Sequence, residues 1–172
     1  ATDGQRIAFV LWQKGIYCLN PDSSEIWRSP PPEWSEVSNM PRSDQTVCMD
    51  FHDSELHIWC AAGGRLVLDA NDGTILRSEK VDLDAVIENV YRDSEHELVC
   101  GNNGEAFHLS ENTLRLQTDI TGPIQNATWD SESDAWRISG WRKEVLLKNQ
   151  PTITQFDEIP MHCLNIDGQW WN

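Results

Sequence analysis

The sequence predicts an all-β fold, a four-bladed β-propeller of four-stranded antiparallel blades. Three observations predict it. A hairpin phrase recurs four times, an acidic turn marker precedes each copy, and helical periodicity of any length is missing, with 81–89 the one ambiguous run. The clearest copy of the phrase is residues 63–77, where Leu66 and Leu68 alternate with Arg65, Val67 and Asp69 at the two-residue period of a half-buried strand. Asn71-Asp72-Gly73 then tolerates positive φ and lets the chain reverse into Thr74-Ile75-Leu76.

The other copies lie at 14–29, 104–116 and 143–156, the last being the most degenerate. The markers are Asp53-Ser54-Glu55, Asp93-Ser94-Glu95 and Asp130-Ser131-Glu132, with Asp3-Gly4-Gln5 and Asp167-Gly168-Gln169 in the same place at the two ends. Each interval between markers suits one four-stranded unit, whose strands we letter A to D. Strand A is expected near 46–51, 86–91, 124–129 and 161–166, and strand B near 6–12, 56–60, 97–100 and 135–139. C and D are the arms of the repeated hairpin. The chain opens just before a B strand and closes just after an A strand. Strand 161–166 is therefore expected to pair with the N-terminal strands, sealing one domain over 1–172 and leaving 169–172 as a tail. Two chains sharing one eight-bladed ring is the rival geometry.

Residues 68–76 (Leu-Asp-Ala-Asn-Asp-Gly-Thr-Ile-Leu) and 19–27 (Leu-Asn-Pro-Asp-Ser-Ser-Glu-Ile-Trp) resemble the repeat of the PQQ-like, quinoprotein-type β-propeller family. The resemblance is carried mainly by 15–29 and 64–78. It implies that Trp27 docks neighbouring blades. The family includes quinone-dependent dehydrogenases, which pair a vicinal disulfide with calcium, and non-enzymatic assembly scaffolds. This chain has no adjacent cysteines, so the dehydrogenase activity is not carried over.

Composition narrows the partners. Against 13 basic residues stand 28 acidic ones, a net charge of −15 that repels nucleic acid and anionic lipid and attracts basic proteins. No apolar run approaches the ~20 residues of a membrane-spanning helix, and no basic-then-apolar leader opens the sequence as given. The five cysteines are dispersed in apolar runs without a Cys-x-x-Cys pair, which points to buried thiols in a reducing, cytoplasmic setting and to no structural zinc.

Candidate binding residues follow from the turns. The A–B and C–D turns share one side of a blade and collect Asp53, Glu55, Asp93, Glu95, Asp130 and Glu132, with Asp22, Asp72, Glu97 and Asp134. These are either ordinary hairpin residues or an acidic crown that steers a basic partner. The opposite side carries Lys14, Arg42, Arg65, Lys80, Arg142 and Lys143. The insertion at 29–44 holds three consecutive prolines that stiffen the backbone near Trp34 and Met40, candidates for interface anchors unless Trp34 folds back over a blade joint. Of nine tryptophans, Trp12, Trp27, Trp59, Trp129 and Trp136 fall on strand positions and are expected to pack between blades. Trp141 beside Arg142, and the Trp170-Trp171 pair, are candidates for exposure. No histidine stands in a hydrolase or metalloprotease motif, and no catalytic residue, metal ligand or cofactor is assigned. The expected function is a non-enzymatic protein-binding module, an inhibitor or immunity-type protein that blocks a basic enzyme, acting as monomer or homodimer. The alternative is a propeller that binds carbohydrate or another small ligand.

Overall fold

The computed structural model describes residues 1–34, 43–81, 85–93, 95–109, 114–116, 118–148, 151–158, 164–166 and 169–171. The described residues form β-strands and no helix, so none is long and apolar enough to cross a membrane. The chain divides into two compact units, Ala1–Val86 and Ile87–Asn172.

In the first unit, β1 (Ile7–Leu11), β2 (Gly15–Leu19) and β3 (Glu25–Ser29) make a three-stranded antiparallel sheet in chain order. A four-stranded meander follows: β4 (Thr46–His52), β5 (Glu55–Cys60), β6 (Gly64–Asp69) and β7 (Ile75–Lys80). The alternation seen in the sequence places Leu56 and Ile58 beside Leu66 and Leu68 on one face of the second sheet. Ala8, Ile16, Cys18 and Trp27 of the first sheet close over them as a single core. Strand β7 is exposed along its whole length, and Arg77, Glu79 and Lys80 on this outer strand discourage edge-to-edge pairing.

Trp27 joins the two sheets. It is 6% exposed, and its indole Nε1–H donates to the Ala70 carbonyl at 2.9 Å, while the Ser29 hydroxyl donates to the Gly73 carbonyl at 2.6 Å. Gly73 has φ +74°, and a Cβ there would stand 2.5 Å from Trp27 Cε3. The turn of the repeated phrase therefore needs glycine for its left-handed backbone and for the ring that lies against it.

The second unit repeats the meander twice. Its first sheet is β8 (Ile87–Asp93), β9 (His96–Gly101), β10 (Ala106–Leu109) and β11 (Leu114–Leu116). Its second is β12 (Asn126–Asp130), β13 (Ala135–Gly140), β14 (Lys143–Leu147) and β15 (Thr152–Gln155). Leu98, Cys100 and Ala106 from one sheet meet Trp136, Ile138, Val145 and Leu147 from the other, with Ile120 and Ile124 of the connecting segment. On the opposite face of β13, Arg137 lies between two carboxylates. It donates to Asp130 at 3.0 Å and to Glu144, both of which are buried.

The all-β class and the antiparallel meander of propeller-blade type are therefore present, with the expected A–D order complete in three sheets. The first sheet holds B, C and D strands alone. Strand 161–166 is not in it: β16 (Leu164–Ile166) pairs with β17 (Gln169–Trp171), and 161–163 lie outside the described residues. The expected tail at 169–172 is thus largely a strand, because three residues on each side suffice for a small antiparallel ladder. Cys18, Cys48, Cys60 and Cys100 are free thiols, all buried except the half-buried Cys48.

Candidate functional site

The first unit carries an apolar groove of about 350 Å³, bounded by Val10, Leu11, Trp12, Pro31, Pro32 and Trp34, with Asp44 at its margin. Its geometry begins in the β1–β2 turn. Strand pairing ends at Leu11↔Gly15, the Lys14 amide donates to the Leu11 carbonyl at 3.0 Å, and Gln13 takes φ 56°. Trp12 is thereby carried past the end of the sheet. It is 66% exposed, and Leu11 beside it is 45% exposed. The expectation that Trp12 packs between blades is corrected. The strand stops one residue before it, and a turn position faces solvent.

Trp34 has the opposite fate. It is half-buried against the core of the first unit, and its Cε3 lies 2.6 Å from where a Cβ on Gly64 would stand. A side chain at 64 would displace the indole. Trp34 therefore folds back as a wall of the groove, and Pro31 and Pro32 hold the connecting backbone extended beside it. Met40 and Arg42 lie outside the described residues.

The acidic turns differ from one another. Asp53 is exposed with φ 53° in the β4–β5 turn. Glu55, the next marker residue, is half-buried and engaged: Arg77 donates to it at 2.7 Å and His57 Nε2 lies 3.1 Å away. Nearby, Asp22 and Asp72 are exposed, and each accepts from a backbone amide two residues on. Their carboxyls are held below the ordinary value, chiefly by hydrogen bonds from Ser24 and Thr74. In the second unit Asp93 is half-buried, and Glu95 and Glu132 are exposed. Asp130 is buried. Burial alone raises its pKa, but hydrogen bonds from Arg137 and Ser133 outweigh this and lower it. Asp130 thus secures its turn and offers no surface charge, a correction to its reading as a docking residue. Trp141 is 61% exposed and Arg142 is exposed with φ 54°, because β13 and β14 are joined by this two-residue turn.

Sequence reasoning missed Leu11, Trp12, Pro31 and Pro32 as one surface. The available signal was the Trp12-Gln13-Lys14-Gly15 stretch, in which a glycine follows three residues that end an apolar run.

Comparison with known proteins adds to this geometry. No protein-family model matches the sequence, and no curated protein matches it. Solved structures do. A chain from the crystal structure of BBS1N in complex with ARL6DN, soaked with lead, superposes with a TM-score of 0.58 at 13% identity, over 93% of this chain and 52% of that one. The similarity is one of fold. The N-terminal domain of Nup159 gives 0.53 at 7% identity over 93% of this chain and 43% of that one. A protein of unknown function from Bacteroides caccae gives 0.52 at 12% identity over 89% and 58%. This chain therefore spans about half the length of the structures it matches.

Proposed function

We propose that this chain is a non-enzymatic protein-binding module whose groove in the first unit receives a basic segment of a partner. The observation that carries the reading is Trp12, two-thirds exposed at the lip of a groove walled by prolines and Trp34. A large aromatic presented on a short turn loses little entropy on docking and buries much apolar area, which is the profile of an interface anchor. A lysine or arginine of the partner would stack on the Trp12 ring while Asp44 neutralises its charge. The net charge of −15 favours the same class of partner by steering it. The structure with BBS1N is itself that of a complex with a protein, which agrees in kind with this reading.

Within that class we favour an inhibitor or immunity-type role against a basic enzyme. The finer architecture belongs to the same proposal: a four-bladed ring closed within one chain, or an eight-bladed ring shared by two, separated by the mass in solution. Wild-type protein and the Trp12→Ala variant, each immobilised, test the binding reading. A basic protein retained by the wild type should bind Trp12→Ala at least about tenfold more weakly, the loss typical of an anchor. A partner retained equally by both would place binding elsewhere.

A further inference from the structure

The second unit holds a cleft on which the protein-binding reading does not draw. Four rings gather around it. His96 stacks on Trp129 with centroids 3.6 Å apart and planes 16° from parallel, and Trp129 meets Trp136 edge to face at 5.5 Å and 77°. His108 lies 6.3 Å from Trp136 at 86°. Beside them opens a cleft of about 570 Å³, bordered by His108, Trp129, Trp136, Ser133, Asp134 and Lys148. That size falls within the ~300–1,000 Å³ of small-molecule sites.

Trp136 is 1% exposed, and its indole Nε1–H has no acceptor. A buried donor left unmade is destabilising, and about 90% or more of such groups in folded proteins are satisfied. An unspent donor in the wall of a cleft is a feature that a ligand oxygen would complete. The rest of the lining limits the ligand further. Trp129 is braced by His96 on one face, is half-buried, and borders the cleft. Asp134 is exposed, at φ 50° in the β12–β13 turn next to Ser133. Burial holds the His108 imidazole below its ordinary pKa, helped by His96 and opposed by Asp134, so at neutral pH it offers one donor and one acceptor. Charges at the rim nearly cancel: Lys148 faces Asp134 across the lining, and Arg115 is paired with Glu105.

We propose that this cleft binds a neutral carbohydrate. A purely apolar ligand would leave the Trp136 N–H unmade, an anion would meet Asp134, and a cation would meet Lys148. A sugar meets all the lining groups at once. A ring or hydroxyl oxygen accepts from Trp136, hydroxyls donate to Asp134 and exchange bonds with Ser133 and His108, and the C–H face rests on Trp129.

The test uses the whole chain and the methyl glycosides of glucose, galactose, mannose and N-acetylglucosamine, read by calorimetry and tryptophan fluorescence. At least one glycoside should bind saturably, with an affinity unchanged between about 0.05 and 0.5 M salt, as expected for an uncharged ligand. Trp129→Ala should weaken it about tenfold and Asp134→Asn about fivefold, the losses expected from one stacked ring and one hydrogen bond to a charged acceptor. Trp141→Ala, which alters an exposed ring outside the cleft, should bind as wild type. Asp134→Asn changes a surface turn, so it reports even where Trp129→Ala fails to fold. The proposal is overturned by no saturable binding up to about 50 mM glycoside, or by binding that both cleft variants leave intact. It is equally overturned if phosphate or tetramethylammonium occupies the cleft in preference.

Discussion

The contact between Trp27 and Gly73 makes a sharp prediction, because its parts can be removed one at a time. Trp27→Ala empties a nearly buried indole and is expected to cost about 3–5 kcal/mol. Trp27→Phe keeps most of the ring and loses the hydrogen bond to Ala70. Since Arg6 also donates to the Ala70 carbonyl, at 2.8 Å, that oxygen is not orphaned, and the expected cost is about 2 kcal/mol. Gly73→Ala forces an alanine to φ +74°, about 1–2 kcal/mol, and drives its Cβ to 2.5 Å from the Trp27 ring, about 1–3 kcal/mol more. The double variant Trp27→Phe/Gly73→Ala relieves the second of these, because the smaller ring withdraws from the added methyl. Its cost should fall short of the sum of the singles by about 1 kcal/mol or more. Urea unfolding followed by far-ultraviolet circular dichroism measures all three. In thermal melts each kcal/mol should appear as roughly 4–8 °C for a cooperative unit the length of the first one. Strict additivity, within about 0.5 kcal/mol, would refute the claim that ring and turn exclude each other.

Three further outcomes are expected. Arg137→Met leaves Asp130 and Glu144 buried without their shared cation and should cost about 3–5 kcal/mol in urea unfolding, whereas adding Asp130→Asn and Glu144→Gln should recover most of that loss. Because the folded-state pKa of His108 lies below the ordinary 6.5, its contribution is fully present above that value and is lost as pH falls toward the folded one. His108→Gln should therefore lose less stability than wild type between about pH 7.5 and about pH 5, and an equal loss would refute the burial argument. Burial pushes the Cys100 thiol far up, so alkylation followed by peptide mass spectrometry should label Cys100 only in denaturant, with the half-buried Cys48 labelled first among the four described thiols.

The hairpins were legible in the sequence because their determinants are neighbours in the chain. The alternation of Leu66 and Leu68 sets a strand's two faces, and Asn71-Asp72-Gly73 sets its reversal, without reference to any distant residue. The same local logic placed A, B, C and D strands within a residue or two of their positions in three sheets. The candidate site was legible only in fragments. Trp34 and the proline run were singled out, while Trp12 was assigned to packing, since one turn residue more or less decides whether a tryptophan ends in a core or in water.

Other distinctions belong to the tertiary structure alone. Asp130 and Glu132 share one marker motif, yet Asp130 is buried against Arg137 and Glu132 is exposed. The difference arises because Arg137 reaches back from the next strand. Likewise His96, His108, Trp129 and Trp136 come from four strands of two sheets and become one aromatic cleft through packing. The pairing of Leu164–Ile166 with Gln169–Trp171 was not foreseen from a strand's phase in the repeat. Alternation and turn chemistry specify how a chain bends. Burial, ion pairing and cleft formation depend on which distant residues a sheet face meets, and that information lies outside any local stretch.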